Sequence, residues 1–138
     1  MTATAFATDP PGPEPSTAED PATRRSRLRL GAMMTFMGVL HFVAPQPFMK
    51  IVPRWLGRPR LWTYASGVAE LTSGALLLNP RTSKAGGAAA AATIVAVYPA
   101  NIQMAVDAGA PRSLLALGAW LRLPLQLPMF AWALRHAR

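Results

Sequence analysis

Two charged side chains, Glu70 and Arg122, lie inside long apolar runs, and they set the chemistry open to this chain. Glu70 is near the middle of Leu61–Leu78. An ionised carboxylate there is costly unless it is paired or protonated. Gly67, Glu70 and Gly74 follow one another at i, i+3 and i+7, so they share a helix face on which glycine admits close neighbours. Arg122 and Gln126 share a second face at i, i+4, continuing from Gly118. Asn101 follows Pro99 in a third apolar run, and His41 ends the first. His41, Glu70, Asn101, Arg122 and Gln126 are therefore the candidate buried polar network or ligand pocket. With helices rising about 1.5 Å per residue, Glu70 is about 15 Å below Arg60 and Arg122 about 13 Å below Ser113. Equal depth predicts a Glu70–Arg122 pair, since arginine can meet a carboxylate bidentately. Such a pair either fixes helix register or lines a pocket. Asn101 has a plainer role as a local cap at the proline, Gln126 as a donor to a carbonyl freed by Pro124 or Pro128, and His41 as an amphipathic interfacial residue.

Other chemistries are excluded by composition. There is no cysteine, so disulfides and thiolate sites are absent. The two histidines, His41 and His136, fall near opposite ends of the expected helices, so no metal or haem site is expected. Hydrolase, P-loop and dinucleotide motifs are missing, and no catalytic residues are assigned. The chain is not expected to be an enzyme on its own. The net charge of +8 comes from bases clustered between apolar runs without an aromatic-laced basic face. That pattern marks membrane flanks, not a nucleic-acid partner.

The elements that must carry these residues are helical. Residues 1–26 are rich in Pro, Ala, Thr and acids without apolar period, and read as a disordered tail. A secretory signal would begin basic and turn apolar at once, which this tail does not. Residues 27–138 read as a membrane domain with spans at about 28–43, 60–78, 85–106 and 114–134. Between the first two spans, Pro45, Pro47, Pro53 and Pro59 forbid a regular helix, while Phe48, Trp55 and their neighbours are too apolar for a free loop. An interfacial segment is expected there. Short connections predict an all-α, four-helix transmembrane bundle, up-down-up-down. Arg24, Arg25, Arg27, Arg29, Arg81, Lys84, Arg135 and Arg138 outnumber the bases of the other side, which places both termini in the cytoplasm of an inner-membrane protein.

Four motifs in order carry a family resemblance. They are Gly38-Val39-Leu40-His41-Phe42, Ser66-Gly67-Val68-Ala69-Glu70, Pro99-Ala100-Asn101-Ile102 with Met104, and Leu121-Arg122-Leu123-Pro124-Leu125-Gln126. Together they resemble the DoxX-like family of small bacterial integral membrane proteins, over about residues 30–134. The resemblance implies a four-helix membrane bundle and an association with redox systems. Some relatives are subunits of quinone-reducing complexes, others accompany oxidoreductases, and a distant branch acts in receptor assembly.

Three functions follow as expectations. The first is a membrane subunit or anchor supporting a quinone-linked redox partner, with the bilayer, an oxidoreductase and a further copy of the chain as partners, and a quinone as ligand. The second is a small-molecule or proton carrier with Glu70 titrating. A permanent arginine partner argues against it by holding the carboxylate charged. The third is a non-catalytic membrane assembly factor.

Overall fold

The computed structural model describes residues 19–138, and all its regular structure is helical. The expected disorder of residues 1–18 lies outside the described residues. Residues 21–26, also assigned to the tail, instead form the start of α1 (Pro21–Val43). The reason is local: Pro21 occupies the first turn, and the Asp20 carboxylate accepts from the backbone N–H groups of Ala22 and Thr23 at 3.0 and 3.1 Å. Proline again begins α2 (Pro45–Lys50) and α3 (Pro59–Leu78). A single turn at Arg54–Leu56 separates them, so the proline-rich segment folds as a cap of short helical pieces.

Asn79 ends α3, and its side chain accepts from the Arg81 N–H. The chain then turns into α4 (Ser83–Ala96). The third expected span is not continuous: the helix breaks at Val97 and resumes as α5 (Tyr98–Ala108), with Pro99 in its first turn. Proline has no N–H to give and clashes with the preceding turn. Pro124 and Pro128, by contrast, are carried inside one continuous helix, α6 (Leu114–Ala137), which Ser113 caps at the Ala116 N–H.

Helix α1 packs along α3, α3 along α4, and α4 along α6, with α5 also against α6. Glycines bring the backbones together. A Cβ on Gly38 would meet the Gly67 carbonyl at 3.0 Å, and one on Gly74 would meet the Gly31 carbonyl at 2.9 Å. The α1–α3 seam is thus closed by two antiparallel glycine pairs, including both glycines that flank Glu70. Gly86 lies against the backbone of Leu76 and Leu77, and Gly87 against that of Ala133, His136 and Ala137.

The core is small and off-centre. Leu30, Met34, Leu77, Ala90, Ala91, Ile94 and Ala133 gather at the end where α1 begins and α6 finishes. A polar latch closes that end. The buried Arg27 meets Glu19 bidentately, both contacts at 2.9 Å, and donates its remaining Nη1 to the Leu77 carbonyl. Ser26 bridges α1 to α6, accepting from the Trp132 indole at 2.8 Å and lying 3.0 Å from His136 Nε2. Many large apolar side chains face outward: Leu114 is 90% exposed, Leu115 82%, Val43 75% and Leu127 71%.

By length and composition, two stretches are able to cross a membrane, Pro80–Ala108 and Leu114–Ala137. α1 opens with four arginines, and α3 carries Thr63, Ser66, Glu70, Thr72 and Ser73, which lowers the hydropathy of both.

Candidate functional site

Next to the core, with Met34 and Ile94 common to both, the helices surround a cavity of about 230 Å³. All five residues proposed from sequence, His41, Glu70, Asn101, Arg122 and Gln126, line it. Met33, Met34 and Met37 supply its α1 wall, and Leu125 and Met129 its α6 wall.

The expected Glu70–Arg122 pair is not formed. Among the described residues the only basic side chain within 4 Å of the Glu70 carboxylate is His41, with Nδ1 at 3.0 Å from Glu70 Oε2. Depth along a helix axis is only one coordinate. α3 and α6 have α4 between them, so residues at one level on these two helices face each other across the cavity. Arg122 remains exposed on that far wall, whereas Glu70 is 8% exposed.

His41 and Glu70 meet because helix periodicity brings them to the glycine seam. Arg27, Leu30, Gly31, Met34, Gly38 and His41 form the buried face of α1. The β-carbon of His41 packs against Gly67, one turn before Glu70. The imidazole also lies 2.8 Å from the Met37 carbonyl through the same Nδ1. Nδ1 thus stands between two acceptors, and its angle to Glu70 Oε2 is the poorer of the two. The Glu70 side chain thus borders the cavity with His41 as its one basic neighbour and with Oε2 outside regular hydrogen-bond geometry.

Asn101 and Gln126 are committed elsewhere. Asn101 donates to Gln126 Oε1 at 2.6 Å, and Gln126 donates to the Ile94 carbonyl. Ile94 sits one turn before the α4–α5 break, where the regular ladder ends, so this pair ties the break to α6. Gln126 thus serves a carbonyl on another helix, not one freed by Pro124 or Pro128.

Two residues of the site escaped the sequence reading. Phe48, from the proline-rich cap, stacks on His41 with ring centroids 3.8 Å apart. It separates the cavity from a smaller one, about 80 Å³, under the cap. Thr63, 2% exposed and bordering this second chamber, has a hydroxyl without a partner. Phe48 carried only the signal of an aromatic among prolines, and Thr63 carried none. Among the described residues there is no cluster of His, Cys, Asp or Glu able to hold a metal.

Comparison with known proteins adds a family but no activity. The chain matches no curated protein and no solved structure. A family model, described as a domain of unknown function (DUF8561), matches residues 30–137. The match takes in every helix except the first turns of α1 and every residue of the site, so the chain belongs to the DUF8561 family.

Proposed function

We propose that this chain is a four-helix integral membrane protein of the DoxX-like kind, in which α4 and α5 together make the third span. Its role in this reading is that of a membrane subunit or anchor for a quinone-linked oxidoreductase, with the quinone ring held in the cavity. The membrane reading is supported by the inverted distribution of side chains. Alanine, glycine, serine and threonine fill the contacts between helices, while Leu114, Leu115, Leu127 and Val43 face outward. Water would penalise so large an apolar exterior, and lipid does not. The ligand reading rests on one observation, the buried Glu70 carboxylate, with only His41 beside it, lining a cavity whose opposite wall carries Arg122. A quinol hydroxyl can donate to Glu70, and a ring oxygen can accept from Arg122.

The test has two parts. Alkaline carbonate should leave the protein in the membrane pellet, and release into the supernatant would defeat the spanning reading. Protein purified in mild detergent should retain a quinone that mass spectrometry identifies, and Arg122→Gln should lose it. No retained quinone, together with no binding of a short-chain quinone on titration, would remove the ligand. Orientation is tested separately by cysteines placed at Ser83 and Lys50. An impermeant reagent on intact cells should label position 50 and spare position 83.

A second reading, a proton or small-molecule carrier, draws support from the change of partner at Glu70. Histidine titrates in the physiological range where arginine does not. Proton flux into proteoliposomes that disappears in Glu70→Gln would favour it over the anchor.

A further inference from the structure

The seam between α1 and α6 differs from the others. α1 and α6 are bridged by side chains, Ser26 to Trp132 and His136, and not by close backbone packing. Arg25, Arg29, Met33 and Met37 succeed one another at intervals of four along α1, so they form one stripe down this helix. Arg25, Arg29 and Trp132 border an open depression of about 350 Å³ at the basic end of the seam. Deeper along it, Met33, Met37 and Met129 line the α1 and α6 walls of the cavity.

The charges at the mouth are uncompensated by described carboxylates. Glu19 is held by Arg27, and Asp20 caps α1. Arg25 and Arg29 are both exposed. Further bases, Arg81, Lys84, Arg135 and Arg138, lie at the same end of the fold. Two guanidinium groups one helical turn apart suit a phosphate, which arginine binds with several directed donors. Below them the stripe turns to methionine, whose unbranched side chains adapt to an irregular apolar neighbour. A free phosphate would use the first part of this surface and leave the second unexplained. An amphiphile uses both.

We propose that the α1–α6 groove holds an anionic phospholipid, its phosphate on Arg25 and Arg29 and one acyl chain along Met33 and Met129. From Arg29 to Met37 is about 12 Å along the helix, so the chain end reaches the mouth of the Glu70 cavity. The lipid would thereby close the side of the protein that backbone packing leaves open. The site needs the membrane setting proposed above and is independent of the quinone.

Native mass spectrometry of the detergent-purified full chain, titrated with phosphatidylglycerol or phosphatidylcholine, tests this. Phosphatidylglycerol should be retained preferentially. Arg25→Gln with Arg29→Gln should weaken its retention by roughly ten- to thirtyfold. Arg54→Gln with Arg58→Gln, at the other end, should leave it unchanged. Equal retention of the two lipids, or undiminished retention by the first double variant, overturns the proposal. Displacement by excess inorganic phosphate alone would assign the groove to a free anion and overturn it equally. Should the arginine variant fail to fold, a chain with Trp132 as its single tryptophan gives the same answer with native arginines. Brominated-chain phosphatidylglycerol should quench its fluorescence, and brominated phosphatidylcholine should do so much less. Equal quenching counts against the site.

Discussion

The two ends of this helical assembly are built from the same helices and follow opposite rules. At the end where α1 begins, glycine and alanine let backbones touch, Leu30 and Leu77 are fully buried, and every atom of the Arg27–Glu19–Leu77 latch has a partner. At the other end the helices stand around a cavity, Glu70 keeps an oxygen without a donor, and a helix is broken at Val97. Close helix contact continues along the α1–α3 seam as far as Gly38 and Gly67, so the opening lies between α1 and α6, on the side of Glu70 away from that seam. Both ends contribute contacts to the fold, and the cavity end also carries Glu70 and Arg122, which make no pair with each other.

That contrast is breakable, most severely at Gly87. A Cβ there would meet the backbone of His136 and Ala137 at 2.5 Å, and backbone cannot step aside as a side chain can. Gly87→Ala should cost about 3 kcal/mol or more and lower the melting temperature in detergent sharply. Near-normal melting would mean that α4 and α6 are not in close contact. Next in size is Arg27→Gln, which strands the Leu77 carbonyl and removes both bonds to Glu19. A loss of about 2 kcal/mol is expected in chemical or thermal unfolding.

At the open end the effects on stability should be smaller. If Glu70 were paired with Arg122, Glu70→Gln would cost roughly 3–5 kcal/mol. With His41 as its neighbour and Oε2 outside regular hydrogen-bond geometry, the amide should cost less, about 1 kcal/mol. Ligand retention, not melting temperature, is where Glu70→Gln and Arg122→Gln should register. A large stability loss in both, relieved in the double variant, would restore the arginine pairing.

The pH dependence of the latch is a finer probe. The hydrogen bonds from Arg27 hold the Glu19 carboxyl below its ordinary value of 4.5. A depressed carboxylate stabilises the fold fully above that ordinary value, and the contribution is lost as pH falls through the folded-state value. The melting-temperature gap between the native chain and Glu19→Gln should therefore close in acid. A gap independent of pH would mean that Glu19 acts by packing alone. Smallest of all is Gly118→Ala, on the open side of α6, where a Cβ meets nothing within 4 Å. It should be neutral or stabilise by about 0.5–1 kcal/mol through helix propensity.

Composition and periodicity determined the helical class and the positions of most helices, and they singled out five polar residues that line one cavity, though not Phe48 or Thr63 beside it. Each of these depends on residue type at a fixed helical interval, which is local information. The same interval placed Gly67, Glu70 and Gly74 on one face, and their close contact with α1 follows from it. It also carried a signal that went unread: Arg27 continues the face that holds Leu30, Met34 and His41, and so is buried despite lying in a run of arginines. What only the tertiary structure decided was who meets whom. Glu70 faces His41 because α1 is the neighbour of α3, while Arg122 stands on a helix across the cavity. Depth along an axis can be counted from sequence, but the order of helices around the axis is set by how their surfaces fit. Phe48 on His41 and Gln126 on Ile94 belong to the same class of fact. The first crosses the turn between α1 and α2 and the second spans 32 residues, and no helical spacing rule connects either pair.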